Sequence, residues 1–175
     1  MKIAVNAVNR ESKATNNKKS AAVTSALVST MLTLVSGFVN FAHRLNFDGV
    51  SREICAVLSL VTLTFYITTA VFGFAEKNRS VIIYGLFFWS VSLVGAILYS
   101  LQVIFGTTLD TLPLGVAFTR IIYALLTLPV TAYNAIIEAA GLYIVKLVLA
   151  FLPTLLFLAF YVFALVSALK KRGGE

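Results

Sequence analysis

Long runs of apolar residues almost free of charge, separated by short charged clusters, decide what this sequence can become. The charges gather at residues 1–20, 43–53, 76–80 and 169–175, with four isolated ones elsewhere. Five apolar segments lie between them, at 21–42, 54–75, 81–105, 116–137 and 142–169. At about 1.5 Å of rise per residue, each is long enough to cross about 30 Å of hydrocarbon. A soluble fold cannot absorb this pattern: charged residues make up 12% of the chain, against a usual share of about 25%. The predicted fold is therefore all-α, a polytopic transmembrane helical bundle with four or five membrane-spanning helices and short loops.

The domain plan follows from the same clusters. Residues 1–20, rich in Asn, Lys and Ser, read as a flexible basic cytosolic tail. Residues 21–169 form one transmembrane helical domain, and residues 170–175 a basic cytosolic end. The longest connection, 106–115, holds turn formers and Pro113 but no structure of its own. Asn78-Arg79-Ser80 matches a glycosylation sequon but lies in a tiny basic loop against the membrane. The net charge of +7 does not point to nucleic acid. Its positive residues flank apolar runs, where they set orientation and meet anionic headgroups, and they form no basic face on a folded support.

Cytoplasmic loops carry an excess of Lys and Arg, so the basic flanks test the number of crossings. With five spans, eight positive residues fall on one side and six on the other. If segment 116–137 does not cross, the tally becomes ten against four; if segment 21–42 does not, eleven against three. The charge rule thus favours four crossings with both termini cytoplasmic. Hydropathy alone admits a fifth, since both weaker segments are apolar enough to insert.

Small and polar residues recur at steps of three and four within these segments. They are Ser25, Ser29, Thr33, Ser36, Asn40 and His43 in the first, and Cys55, Ser59, Thr62, Tyr66, Thr69, Gly73 and Glu76 in the second. The third carries Gly85, Trp89, Ser92, Gly95, Tyr99, Gln102 and Gly106, and the fourth Thr119, Tyr123, Thr127, Thr131, Asn134 and Glu138. That spacing puts each series on one helix face. Helices in lipid associate through close approach of small residues and through hydroxyl hydrogen bonds, so these faces are expected to meet. The competing reading is a polar path for a solute, but ion and proton pathways place ionisable groups near mid-depth. Tyr66 and Gln102 are polar and neutral, and the first three segments hold no charge there. The fifth segment is nearly all apolar, with Pro153, Thr154 and Tyr161 as its main features. It is read as lipid-exposed or as a docking helix for a partner.

The candidate functional residues are Arg120, Pro129, Glu138, Lys146, Tyr66 and Gln102. Arg120 and Glu138 stand about 27 Å apart on one straight helix and so mark its two ends. Pro129 lies midway, where it frees a carbonyl and bends the helix; such bends can build binding sites in transporters. Glu138 and Lys146 bracket Gly141, and a turn there would leave both near the interface. No catalytic role is assigned to any residue. His43, the single histidine, adjoins Arg44 with no nucleophile coupled to it. One histidine and scattered carboxylates are too few for a metal site, and no glycine-rich phosphate loop occurs, so no cofactor is expected. The one cysteine, Cys55, excludes an internal disulfide and reads as a small buried hydrophobe.

Three functions remain in competition. The first is a non-catalytic accessory or scaffold subunit of a larger membrane assembly. The second is an oligomeric channel or small-solute transporter with polar helix faces lining the path. The third is a lipid-interacting protein using its basic tail. The expected partners are the lipid bilayer and either other membrane chains or further copies of this one.

Overall fold

The structure, a computed structural model, describes residues 2–44, 49–105, 117–139 and 141–170; the side chains of 2–20, 44, 102, 117–121, 143 and 170 lie outside that description. Six helices account for it: α1 (Lys2–Arg44), α2 (Arg52–Ala75), α3 (Arg79–Phe105), α4 (Ala117–Thr131), α5 (Asn134–Ala139) and α6 (Tyr143–Lys170). Four contain stretches long and apolar enough to cross a membrane: Ala21–His43, Arg52–Ala75, Arg79–Phe105 and Ile144–Leu169. The protein is an all-helical membrane bundle, with these four as its long members. The helix of α1 runs back to Lys2, through the stretch that the sequence assigns to a flexible tail.

Segment 116–137 is not one straight helix. It divides into α4 and α5 at Ala132–Tyr133, which corrects the expectation that Arg120 and Glu138 mark two ends of a single helix. Pro129 is also not where the break falls. It sits inside α4, and its missing N–H affects the turn before it. The break comes after it, where the Tyr133 amide bonds the Val130 carbonyl at 3.3 Å, a tighter step than the helical one.

The bundle is built as lipid demands. The buried face of α1 is Ala22, Ser25, Ala26, Ser29, Thr33, Ser36 and Asn40, while Leu27, Met31, Leu34, Val35 and Phe38 point outward. Helix α2 buries Cys55, Ser59, Thr62, Tyr66, Thr69, Ala70 and Gly73 and exposes Ile54, Val57, Leu60, Ile67 and Val71. The predicted stripes therefore face inward. Large aliphatic side chains gain nothing by leaving lipid tails, whereas hydroxyls gain a partner by leaving them.

Helix α1 packs chiefly on α2, and α3 on α6, with α4 set against α1 and α3 and α5 against α2 and α6. A short turn joins α2 to α3. Lys77 takes a positive φ of 48°, the Asn78 amide bonds the Gly73 carbonyl at 3.1 Å, and the Asn78 Oδ1 accepts the Val81 amide at 3.3 Å. Asn78, the sequon residue, thus works as a helix cap. At the centre, Trp89 stacks on Phe157 with ring centroids 4.4 Å apart and meets the edge of Tyr66 at 5.0 Å, tying α2, α3 and α6 together.

Candidate functional site

A helix that breaks inside a membrane domain frees backbone carbonyls, and these need donors from elsewhere. Helix α1 supplies them. Ser36 Oγ donates to the Ala132 carbonyl at 2.6 Å, and Asn40 Nδ2 donates to the carbonyls of Thr131 at 2.8 Å and Ala132 at 3.2 Å. The same amide nitrogen reaches Ser59 Oγ on α2 at 3.0 Å. On the far side of the break, the Tyr133 hydroxyl donates to the Ala150 carbonyl at 3.0 Å, beside Thr154 Oγ1 at 3.3 Å. The break is thereby pinned to α1 and α6 directly, and through Asn40 to α2.

Past this pinned point the bundle opens. A half-open cavity of about 560 Å³ is lined by Asn40, His43, Arg52, Cys55, Asn134 and Glu138, with Ala135. It sits at the end of the bundle where α1 finishes and α2 starts. Two of its wall residues carry an unusual burden. Asn40 and Asn134 are each only 2% exposed, yet the Oδ1 of each is buried with no hydrogen-bond donor among the described residues. His43 is fixed by its neighbour: Nδ1 lies 3.0 Å from the Val50 carbonyl, which can only accept, so Nδ1 carries the proton.

At this cavity, Glu138 does not stand alone. Its Oε2 takes a salt bridge from Lys146 at 2.8 Å, and its Oε1 accepts the Tyr99 hydroxyl at 3.0 Å. The turn that brings Lys146 back to Glu138 contains Gly141 with a φ of +69°, where a side chain would be strained. The two residues that the sequence sets on either side of a turn thus form one ion pair, tied to α3 through Tyr99.

The remaining candidates fall elsewhere or outside the description. Tyr66 is buried in the α1–α2 seam, its hydroxyl 2.7 Å from Thr33 Oγ1. It serves packing and does not line the cavity. Pro129 is buried in α4. The side chains of Gln102 and Arg120 lie outside the described residues, as do residues 106–116. Cys55 is 1% exposed. Among the described residues no cluster of three or more His, Cys, Asp or Glu could hold a metal ion.

The sequence pattern assigns Asn40 and Asn134 to packing faces and does not single out Arg52. A signal is nonetheless present. These are the two asparagines within the apolar segments that carry the polar stripes towards the same end of the bundle, and an amide has more hydrogen-bonding capacity than a hydroxyl seam consumes. Comparison with protein-family models, with curated proteins and with solved structures finds no match for this chain.

Proposed function

We propose that this protein is a non-catalytic subunit of a membrane assembly, a helical scaffold whose α1–α2 seam is closed. The carrying observation is the α1–α2 seam. Ser25 and Ser29 both bond Thr69 Oγ1, at 2.8 and 2.7 Å, Thr33 bonds Tyr66, and Asn40 bonds Ser59. Polar groups that satisfy one another across a helix contact are packing, and they offer a passing solute nothing to bind. A void among Ser29, Tyr66, Thr69, Tyr84 and Trp89 measures about 10 Å³, room for at most one water. Helix α6 gives such a subunit a surface to present: Leu152, Leu155, Leu156, Val162, Phe163 and Val166 are all exposed along it.

On this reading both termini are cytoplasmic and the cavity opens on the opposite face, because four crossings place ten positive residues with the termini and four with the cavity. Extraction with a tag at Glu175, followed by native mass determination, tests the proposal. Distinct partner chains in fixed ratio are the expected result; a homogeneous protein that is alone in cells overturns it.

The cavity beside a broken helix favours a second reading, an oligomeric channel or small-solute transporter, since irregular backbone next to a polar cavity is how transporters build midplane sites. A symmetric assembly of this chain alone, with flux after reconstitution, would select that reading.

A further inference from the structure

We propose that the end of the bundle holding the α2–α3 turn binds anionic phospholipid headgroups, with Lys77 and Arg79 at the centre of the contact. The inference does not depend on whether the chain serves as a subunit or a transporter.

Charge separates the two ends of the molecule. On four crossings, ten Lys and Arg fall at this end against three acids, Glu11, Glu76 and Glu175. The cavity end holds four against Asp48, Glu53, Asp110 and Glu138. The net charge of +7 therefore belongs wholly to the end with the α2–α3 turn.

The fold brings three stretches of chain to one level there. The Ala22 amide of α1 donates to Glu76 Oε2, just past α2, at 3.3 Å, so Lys18 and Lys19 stand about one helical turn beyond that contact. Helices α3 and α6 run antiparallel, with Gly85 against Tyr161, Trp89 against Phe157 and Ser92 against Thr154. Arg79, six residues before Gly85, is thus level with Ser167, and Lys170 lies about one turn past it. All five basic positions fall within three residues of the end of a membrane-crossing stretch, at Ala21, Ala75, Arg79 or Leu169. That is the headgroup layer, and basic residues gathered there suit anionic lipid. A distribution over three helix ends, with no single basic face, favours headgroups over an acidic protein.

Lys77 supplies a second observation. It takes a φ of 48° at the residue following the cap of α2, a place where glycine or asparagine adopts the left-handed backbone at little cost. A lysine is strained there. Its side chain is exposed and has no salt bridge among the described residues. A positive charge held out at this point is what lysine adds and glycine cannot. Arg79, two residues on, is exposed in the same way.

The test offers the purified full chain, in maltoside micelles, equal amounts of dioleoyl phosphatidylglycerol and dioleoyl phosphatidylcholine. Native mass spectrometry counts each lipid retained. Phosphatidylglycerol should be preferred at least about tenfold, and less so as salt rises from about 0.05 to 0.5 M. Lys77→Gly and Arg79→Gln should each cut the preference about fivefold, the ratio for one basic residue at an anionic surface. Lys77→Gly should leave the thermal midpoint unchanged or higher, since glycine suits the turn, and Lys77→Arg should keep the preference. Equal retention of the two lipids, or a preference that both charge-removing substitutions leave intact, overturns the proposal. So does an acidic protein that copurifies in place of lipid and is released by Lys77→Gly, which would make this end a protein contact.

Discussion

Along the α1–α2 seam the contacts are hydroxyls, while along the α3–α6 seam they are rings, glycine and alanine. On the first, Ser25, Ser29 and Thr33 reach Thr69 and Tyr66. On the second, Tyr161 lies over Gly85, where an added methyl would collide with the ring. Trp89 stacks on Phe157, and Ser92 with Thr154 at 3.2 Å is the hydroxyl contact between them. Both seams bury small residues at helical spacing, but they use them differently. A hydroxyl pair is redundant and locally adjustable, because several acceptors stand within reach. A ring seated on a glycine has one arrangement, since interiors are close-packed and cannot relax around a lost ring. The α3–α6 seam should therefore dominate stability, and the α1–α2 seam should set register and tolerance.

The largest effect should come from Trp89→Ala. Truncating a buried Trp leaves a cavity between α3, α6 and α2, and we expect a loss of about 3 kcal/mol in the free energy of unfolding in micelles. That is the low end of the range for such changes in soluble cores, because helices separated in lipid do not expose the ring to water. Next is Gly95→Ala. A methyl there meets the backbone carbonyl of Leu126, which cannot swing aside as a side chain can. The cost should be about 1–3 kcal/mol, seen as a lower thermal midpoint. Gly73→Ala, facing the side chain of Val81 at 3.0 Å, should cost less, because a side chain and not the backbone must give by a few tenths of an ångström.

Asn40→Leu should follow, at about 1–2 kcal/mol, because it strips the Thr131 carbonyl of its donor while Ser36 still holds Ala132. Hydrogen exchange should then rise at Ala132–Asn134 more than along α3. The smallest change belongs to Ser29→Ala, about 0.6 kcal/mol, typical of interhelical hydrogen bonds in membranes, since Ser25 still bonds Thr69. The same denaturation assay orders all of these. Should Ser29→Ala cost as much as Trp89→Ala, the contrast between the seams is wrong.

The inward faces of α1, α2 and α3 are legible in the sequence, because hydroxyls and glycines at steps of three and four stand out in an apolar run. The inward face of α6 is legible only at Thr154 and Tyr161. It buries Ala150, Thr154, Tyr161 and Ala164 at that same spacing, with Phe157 between, but alanine and phenylalanine look like lipid-facing residues when counted by hydropathy. Glu138 and Lys146 are visible as neighbours of a turn at Gly141, and the ion pair follows from the chain reversing there. Tyr99, their third member, comes from a helix thirty-nine residues earlier, and no local pattern announces it.

What the sequence determined by itself is the solvent and the sidedness of the helices. Uncharged runs of more than twenty residues belong in lipid, and polar stripes within them turn away from it, because both preferences act residue by residue. Tertiary structure decided where segment 116–137 stops being one helix. Pro129 weakens only the turn before it, and the break at Ala132–Tyr133 holds because Ser36 and Asn40 on α1, with Tyr133 reaching α6, satisfy groups that a helix would otherwise satisfy for itself. A backbone leaves its own hydrogen bonds in a membrane only where distant side chains replace them. Packing also gathers the cavity's wall from the ends of α1 and α2 and from α5.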